Sequence, residues 1–155
     1  MAPTIEQKSQ PEGVAADAAD DPRAARWEKQ ARHFEKRVRF NATCGVQVLR
    51  WTDTAVVMRL PYSEALCNSS DGVHGGAVAA LADTCGTAGA LAAIGGDGLI
   101  ATVSMNISYL SVANTDLIAT AICIKPGRRI QVTEVRVHDT TEKLVAEAIV
   151  TSMVP

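Results

Sequence analysis

The residues best able to do chemistry fall in one apolar stretch. Between His74 and Asp97 the only charged side chain is Asp83, set among Ala79, Ala80, Leu81, Ala82 and Cys85. A carboxylate is costly to desolvate, and Asp is a poor helix former. The field of a helix start fades within its first turn, so it does not explain an acid this far along. A hydrogen-bonded structural aspartate is one explanation. A site acid serving as base or nucleophile is the one that apolar surroundings favour.

A second feature opens the same stretch. His74-Gly75-Gly76 follows a polar loop carrying Asn68, Ser69, Ser70 and Asp71. Two glycines leave backbone N–H groups unobstructed at a helix start, where they can stabilise an oxyanion developing on a carbonyl. Asn68, six residues before His74, makes the pattern more specific than two glycines alone. Gly75 and Asp83 are eight residues apart, roughly 12 Å along one helix. A reacting carbonyl needs its oxyanion donor and its base or nucleophile each within about 3 Å. If both serve one reaction, Gly75 of one copy must face Asp83 of another. The expectation is a two-fold dimer with two shared sites.

The elements that must hold these groups can be read from patterning. The chain has 155 residues, enough for one domain or one domain with a tail. Residues 1–21 hold five acids and one base with several alanines, and read as a flexible acidic tail. Residues 22–155 read as a single domain. Its first helix is predicted at about 22–40, from apolar Ala24, Trp27, Ala31, Phe34 and Val38, with Asp21 and Pro22 as cap and first helical position. That helix carries seven bases against two acids. Its basic face is read as solvated, the alternative being contact with an anionic ligand. Strands follow around Val46–Trp51 and Thr54–Leu60, then the long apolar helix from His74 to Ile94. Four further strands are predicted at Leu99–Leu110, Leu117–Ile124, Ile130–His138 and Leu144–Met153. Alternation in the first of these puts Val103, Met105, Ile107 and Tyr109 on the face that packs on the helix. The order indicates an α+β fold, one curved antiparallel sheet wrapped around one central helix.

Composition excludes several classes. Apolar residues make up 47% and charged residues 21%, so the chain is globular. A net charge of −2 argues against nucleic-acid binding, and 4% aromatics leave little for base stacking. Cys44, Cys67, Cys85 and Cys123 form no CxxC pattern, and read as free thiols in a reducing cytoplasm. The first residues lack the apolar core of a secretory signal, and no membrane span is expected. His74 has no ligand partners at metal spacing, so no metal is expected.

Asn68-Ser-Ser-Asp-Gly72-Val-His74-Gly75-Gly76 followed by Leu81-Ala-Asp83 resembles the signature of the hot-dog-fold acyl-CoA thioesterases of the phenylacetate-pathway (PaaI-like) type. Thr102–Leu110, Gly127-Arg128-Arg129 and Glu134–Asp139 resemble that family's later strands. The resemblance covers about residues 42–154. It implies a hot-dog fold, a homodimer as the minimal unit, often paired into a tetramer, and hydrolysis of an acyl-CoA thioester. Asp83 would be general base or nucleophile and the Gly75 N–H the oxyanion donor. Asn68 would position the water or the thioester. His74 would shape the loop and bond Asn68, and a Thr102 hydroxyl would face the acid. Gly76 would lie against the substrate. Lys125, Arg128 and Arg129 at one turn could hold the phosphates of coenzyme A, which enters as substrate and not as cofactor. A solvated turn is the alternative. An aromatic or medium-chain acyl group would suit the alanine-rich helix. A hot-dog hydratase or dehydratase and a non-catalytic acyl-CoA-binding protein stand as the competing readings.

Overall fold

Val, Ile and Ala alternate with polar residues through most of the second half of the chain, and this period of two builds a half-buried sheet. The computed structural model describes residues 22–96 and 98–154. In chain order it contains α1 (Ala24–Arg32), a π-turn (His33–Arg37), α2 (Arg39–Cys44), β1 (Gln47–Trp51) and β2 (Val56–Leu60). A short 3₁₀ turn (Glu64–Leu66), α3 (Gly75–Ala93), β3 (Ala101–Tyr109), β4 (Leu117–Lys125), β5 (Ile130–Asp139) and β6 (Leu144–Met153) follow. The six strands form one sheet in the order β1-β2-β4-β5-β6-β3, and all neighbours run antiparallel. This is the hot-dog architecture that the family resemblance implies. The expected tail, residues 1–21, and the expected cap Asp21 lie outside the described residues.

α3 lies across the inner face of the sheet. By length and composition it is apolar enough to cross a membrane, but here Val78, Leu81, Ala82, Cys85, Ala88 and Leu91 are buried. They meet inward residues such as Val56, Met58, Leu117, Val135, Val137 and Val150, which are fully covered. Each such large side chain contributes about 1.5–3 kcal/mol by leaving water. Small residues set how near the helix comes. A Cβ at Gly86 would stand 2.6 Å from Val150 Cγ2, and one at Gly89 would stand 2.9 Å from Ala121 Cβ. Burial pushes the Cys85 thiol up to about 12, so it is a packing group and not a nucleophile.

The helical start is longer than its periodicity suggests. It runs to Cys44 rather than ending near residue 40, broken at Val38, where ψ turns to 99°. The Asn41 amide explains the extra segment: its Nδ2 donates to the Phe34 carbonyl at 3.0 Å, and its Oδ1 accepts from Thr84 on α3 at 3.2 Å. Gly45, at φ 75°, ends α2 in the left-handed conformation that favours glycine. These helices form a cap fixed by a buried Phe34 edge-on to Trp51 at 5.2 Å. Glu35 accepts the Val48 N–H at 2.7 Å, Trp27 Nε1 donates to Asp53 at 3.0 Å, and Gln30 bonds the Gly96 carbonyl.

Candidate active site

Asp83 stands at the middle of α3, half-buried, on the wall of a cleft of about 840 Å³ between α3, the approach to β3, and the cap. Phe34, Val38, Leu91, Leu99 and Ile100 give the cleft apolar surface. Asp83 Oδ1 accepts from the Thr102 hydroxyl at 2.6 Å. Among the described residues no donor is recorded for Oδ2. One oxygen is therefore fixed in place while the other is left to act on a bound molecule.

Thr102 reaches α3 because β3 is irregular. The pairing of β3 with β6 shifts register between Thr102 and Ser104. Strict alternation places Thr102 opposite Met105, on the outer face. The bulge adds one residue and brings Thr102 onto the same face as Met105 and Ile107. Val103 is correspondingly 57% exposed, so the expected helix-facing side holds for Met105, Ile107 and the half-exposed Tyr109, whose ring lies against Gly75, but not for Val103.

Thr87 also belongs to this cluster, and the sequence reading missed it. Its hydroxyl donates to the Asp83 backbone carbonyl at 2.8 Å and lies 3.1 Å from Thr102 Oγ1. Each hydroxyl has one proton. If Thr87 turns its proton to Thr102, a relay runs from Thr87 through Thr102 to the carboxylate. The available signal was the spacing of four from Asp83, which stacks the two on one helix face. Asn41 was missed as well. It ties the cap to Thr84, the residue after Asp83, and nothing local in sequence marks a contact spanning 43 residues.

The start of α3 is built separately. His74 is the cap residue, and its Nδ1 accepts the Gly76 N–H at 2.9 Å. A Cβ at Gly76 would fall 2.9 Å from that nitrogen, so glycine is what lets the ring cap the helix. His74 does not bond Asn68, contrary to expectation. Asn68 Oδ1 instead accepts the Ser70 and Gly72 N–H groups at 2.8 and 3.3 Å, which closes its own loop. That loop is pinned by Val73 N–H to the Ala113 carbonyl and His74 N–H to the Leu66 carbonyl, both 2.8 Å. The Gly75 N–H has no acceptor among the described residues, and its Cα faces the Tyr109 ring.

One chain thus brings Asp83, Thr87 and Thr102 together and holds Asn68, His74, Gly75 and Gly76 elsewhere, two turns away along α3. Lys125, Arg128 and Arg129 lie exposed at the β4–β5 hairpin and do not line the cleft. They are at the Thr102 end of the sheet, since Ile130 pairs with Met153 and Met153 with Ala101. Asp116 is structural: the Tyr62 N–H and the Arg59 guanidinium hold its carboxyl below the usual range.

The model of the thioesterase superfamily matches residues 72–146, which include α3, the approach to it and most of the sheet. A protein of Halobacterium salinarum named as an esterase is 36% identical over 108 residues, 66% of this chain and 72% of that one. The chain belongs to the thioesterase superfamily. A 1,4-dihydroxy-2-naphthoyl-CoA hydrolase of Listeria monocytogenes is 29% identical over 104 residues, 66% of this chain and 85% of its own. Among solved structures, a Shewanella oneidensis protein related to the thioesterase superfamily superposes with a TM-score of 0.78 at 22% identity. It covers 88% of this chain and 100% of that chain, so the likeness in fold extends over the cap.

Proposed function

We propose that the protein is an acyl-CoA thioesterase of the phenylacetate-pathway type, acting as a homodimer in which each centre joins Asp83 of one subunit to Gly75 of the partner subunit. The observation that carries this reading is the Asp83 carboxylate on a cleft wall, one oxygen held by Thr102 and the other free. The unclaimed Gly75 N–H supports it. Within one chain that donor is roughly 12 Å away along α3, so a second copy must bring it. β3 supports the dimer too: it pairs only with β6 among the described residues, and almost all of it is exposed.

The chemistry follows from these groups. In one form Asp83 Oδ2 takes a proton from water as that water attacks the thioester carbonyl. In the other the carboxylate attacks and water resolves the anhydride. Either way a C–O bond forms, the carbonyl electron pair moves onto oxygen, and the N–H of Gly75 stabilises it. Collapse breaks the C–S bond. In the first form the proton taken by Asp83 goes to the leaving thiolate of coenzyme A. In the second the thiolate takes its proton from water, while a second water cleaves the anhydride to free acid and restores the carboxylate. Thr102 keeps the carboxylate aimed. His74 and Gly76 shape the turn that presents Gly75, and Asn68, whose Oδ1 closes the preceding loop, is proposed to position the water or the thioester. Lys125, Arg128 and Arg129 are proposed to meet the phosphates of coenzyme A. The apolar cleft and the aromatic thioester named for the Listeria relative support an aromatic or medium-chain acyl group. We further propose pairing of dimers into a tetramer, no resident cofactor, and action in the cytoplasm, where four free cysteines stay reduced.

The test is thiol release from a panel of acyl-CoA thioesters by the purified protein. Release is expected, and Asp83→Ala is expected to lower it by about 10² or more. Equal release from Asp83→Ala would overturn the mechanism. Saturable binding without release from any thioester would overturn the enzyme reading in favour of a binding protein.

A further inference from the structure

The two walls of the Asp83 cleft differ in charge. Among the described residues Asp83 is the one charged residue that α3 and the approach to β3 contribute, whereas the cap contributes the basic residues Lys29, Arg32, His33, Lys36 and Arg37. Spacings of three and four put the first four of these on one helical face. The π-turn at His33–Arg37 takes more residues per turn, so Arg37 falls back onto that face. π-Turns within helices are frequently found at functional sites.

These basic side chains do not fasten the cap. That work falls to Trp27, Gln30, Phe34, Glu35 and Asn41. Arg32 meets Glu28 one turn back at 3.4 Å, with both side chains exposed. Among the described residues Lys29, Lys36 and Arg37 have no acidic partner, although like charges so close repel one another. A row of cations that, among the described residues, meets only the exposed Glu28, turned into the cleft that contains the candidate acid, calls for an anion.

We propose that the cap wall is an anion subsite that holds a second negative charge of the substrate while the thioester carbonyl lies at Asp83. This rests on the thioesterase reading. The charge is either a carboxylate at the far end of the acyl group or a phosphate of coenzyme A, both of which Lys and Arg bind through charge-assisted hydrogen bonds. In a cleft with apolar surface such contacts are screened less than on open surface. An acyl carboxylate there would make the enzyme select half-thioesters of dicarboxylic acids. A phosphate there would make the cap a clamp on the carrier.

Four substrates separate these sources. A neutral acyl chain and one of equal length ending in a carboxylate are each offered as the coenzyme A thioester and as the N-acetylcysteamine thioester, which carries no phosphate. kcat/KM is measured for the full-length protein and for Lys36→Glu with Arg37→Glu. The expected result is a fall of about tenfold or more in one preference. A fall in carboxylate over neutral places the acyl group on the cap, and a fall in coenzyme A over N-acetylcysteamine places the phosphates there. If both ratios stay as in the natural protein, the subsite is overturned. So it is if only the oligomeric state changes in light scattering, which would assign the cations to a subunit contact. Should the charge reversals unfold the protein, Lys29→Gln with Lys36→Gln is read by the same ratios. If the natural protein cleaves none of the four, the thioesterase reading fails separately. Calorimetric titration with coenzyme A and with the carboxylate-bearing thioester then decides: weaker binding to the variant retains the subsite, and equal binding overturns it.

Discussion

The middle and the start of α3 are furnished in opposite ways. At the middle, Asp83 is surrounded by groups of its own chain: Thr87 one turn on, Thr102 from β3, and the cap across the cleft. At the start, His74 caps Gly76 and the Asn68 oxygen closes its own loop, while the Gly75 N–H has no acceptor among the described residues. On α3 itself, the first place has an acid and no unclaimed backbone donor; the second has the donor and no acid. The difference teaches that the helix carries two half-sites, kept apart by its own rise per residue.

The harshest way to break this comparison is to remove the donor without touching the acid. Gly75 is the first residue of α3, a position where proline is tolerated, and His74 already has the extended backbone that precedes proline. Gly75→Pro is expected to fold and to lose about 10²–10³ in kcat, measured by thiol release. A loss below tenfold would remove Gly75 from the chemistry. Mixing subunits sharpens the same point. Gly75→Pro and Asp83→Ala, each nearly inactive, are unfolded together and refolded. Half of the resulting dimers should be mixed, each with one intact centre, restoring roughly a quarter of natural activity. No recovery would show that donor and acid do not meet across subunits.

A smaller change tests how the acid is held. Thr102→Val keeps shape and removes the hydroxyl on Asp83. Hydrogen bonds to charged groups contribute about 1.5–3 kcal/mol, so kcat should fall by about tenfold with stability little changed, since Thr102 is exposed. The least effect on turnover is expected far from both half-sites. Asp139 closes the β5–β6 turn, where the Thr141 hydroxyl and N–H and the Lys143 N–H hold its carboxyl down to about 2. Because its pKa is lowered in the folded state, its stabilisation is complete above the ordinary carboxylate range and is lost as pH falls toward 2. Asp139→Asn should therefore lower the melting temperature at pH 7 and flatten its fall between about pH 4 and 2, while thiol release is retained. A matching loss of turnover would mean that damage anywhere reaches α3.

Much of this was legible from sequence, because the signals were strong and local. The long helix showed in an apolar run closed by two glycines, and the four later strands showed in their alternation, with ends within a residue or two. Asp83 stood out because nothing charged lay near it. What stayed hidden depended on partners distant in sequence. The bulge at Val103 changes which face Thr102 takes, and alternation alone reads straight through it. The continuation of the cap to Cys44 rests on Asn41 meeting Phe34 and Thr84. The bond expected between His74 and Asn68 gave way to shorter-range partners, Gly76 for one and the Asn68 loop for the other. The basic face of the first helix read as solvated, and only its docked position reveals that it overlooks the cleft.

The missing side chains at Gly86 and Gly89 have a consequence for how this molecule can change over generations. They let the helix lie nearly flush with Val150 and Ala121. Any replacement there acts as a wedge, lifting the rod that bears Asp83 while Thr102 stays with its strand. Catalytic aim is thus coupled to two positions that touch no substrate. Drift toward new specificities has freer range in the cap than along that seam.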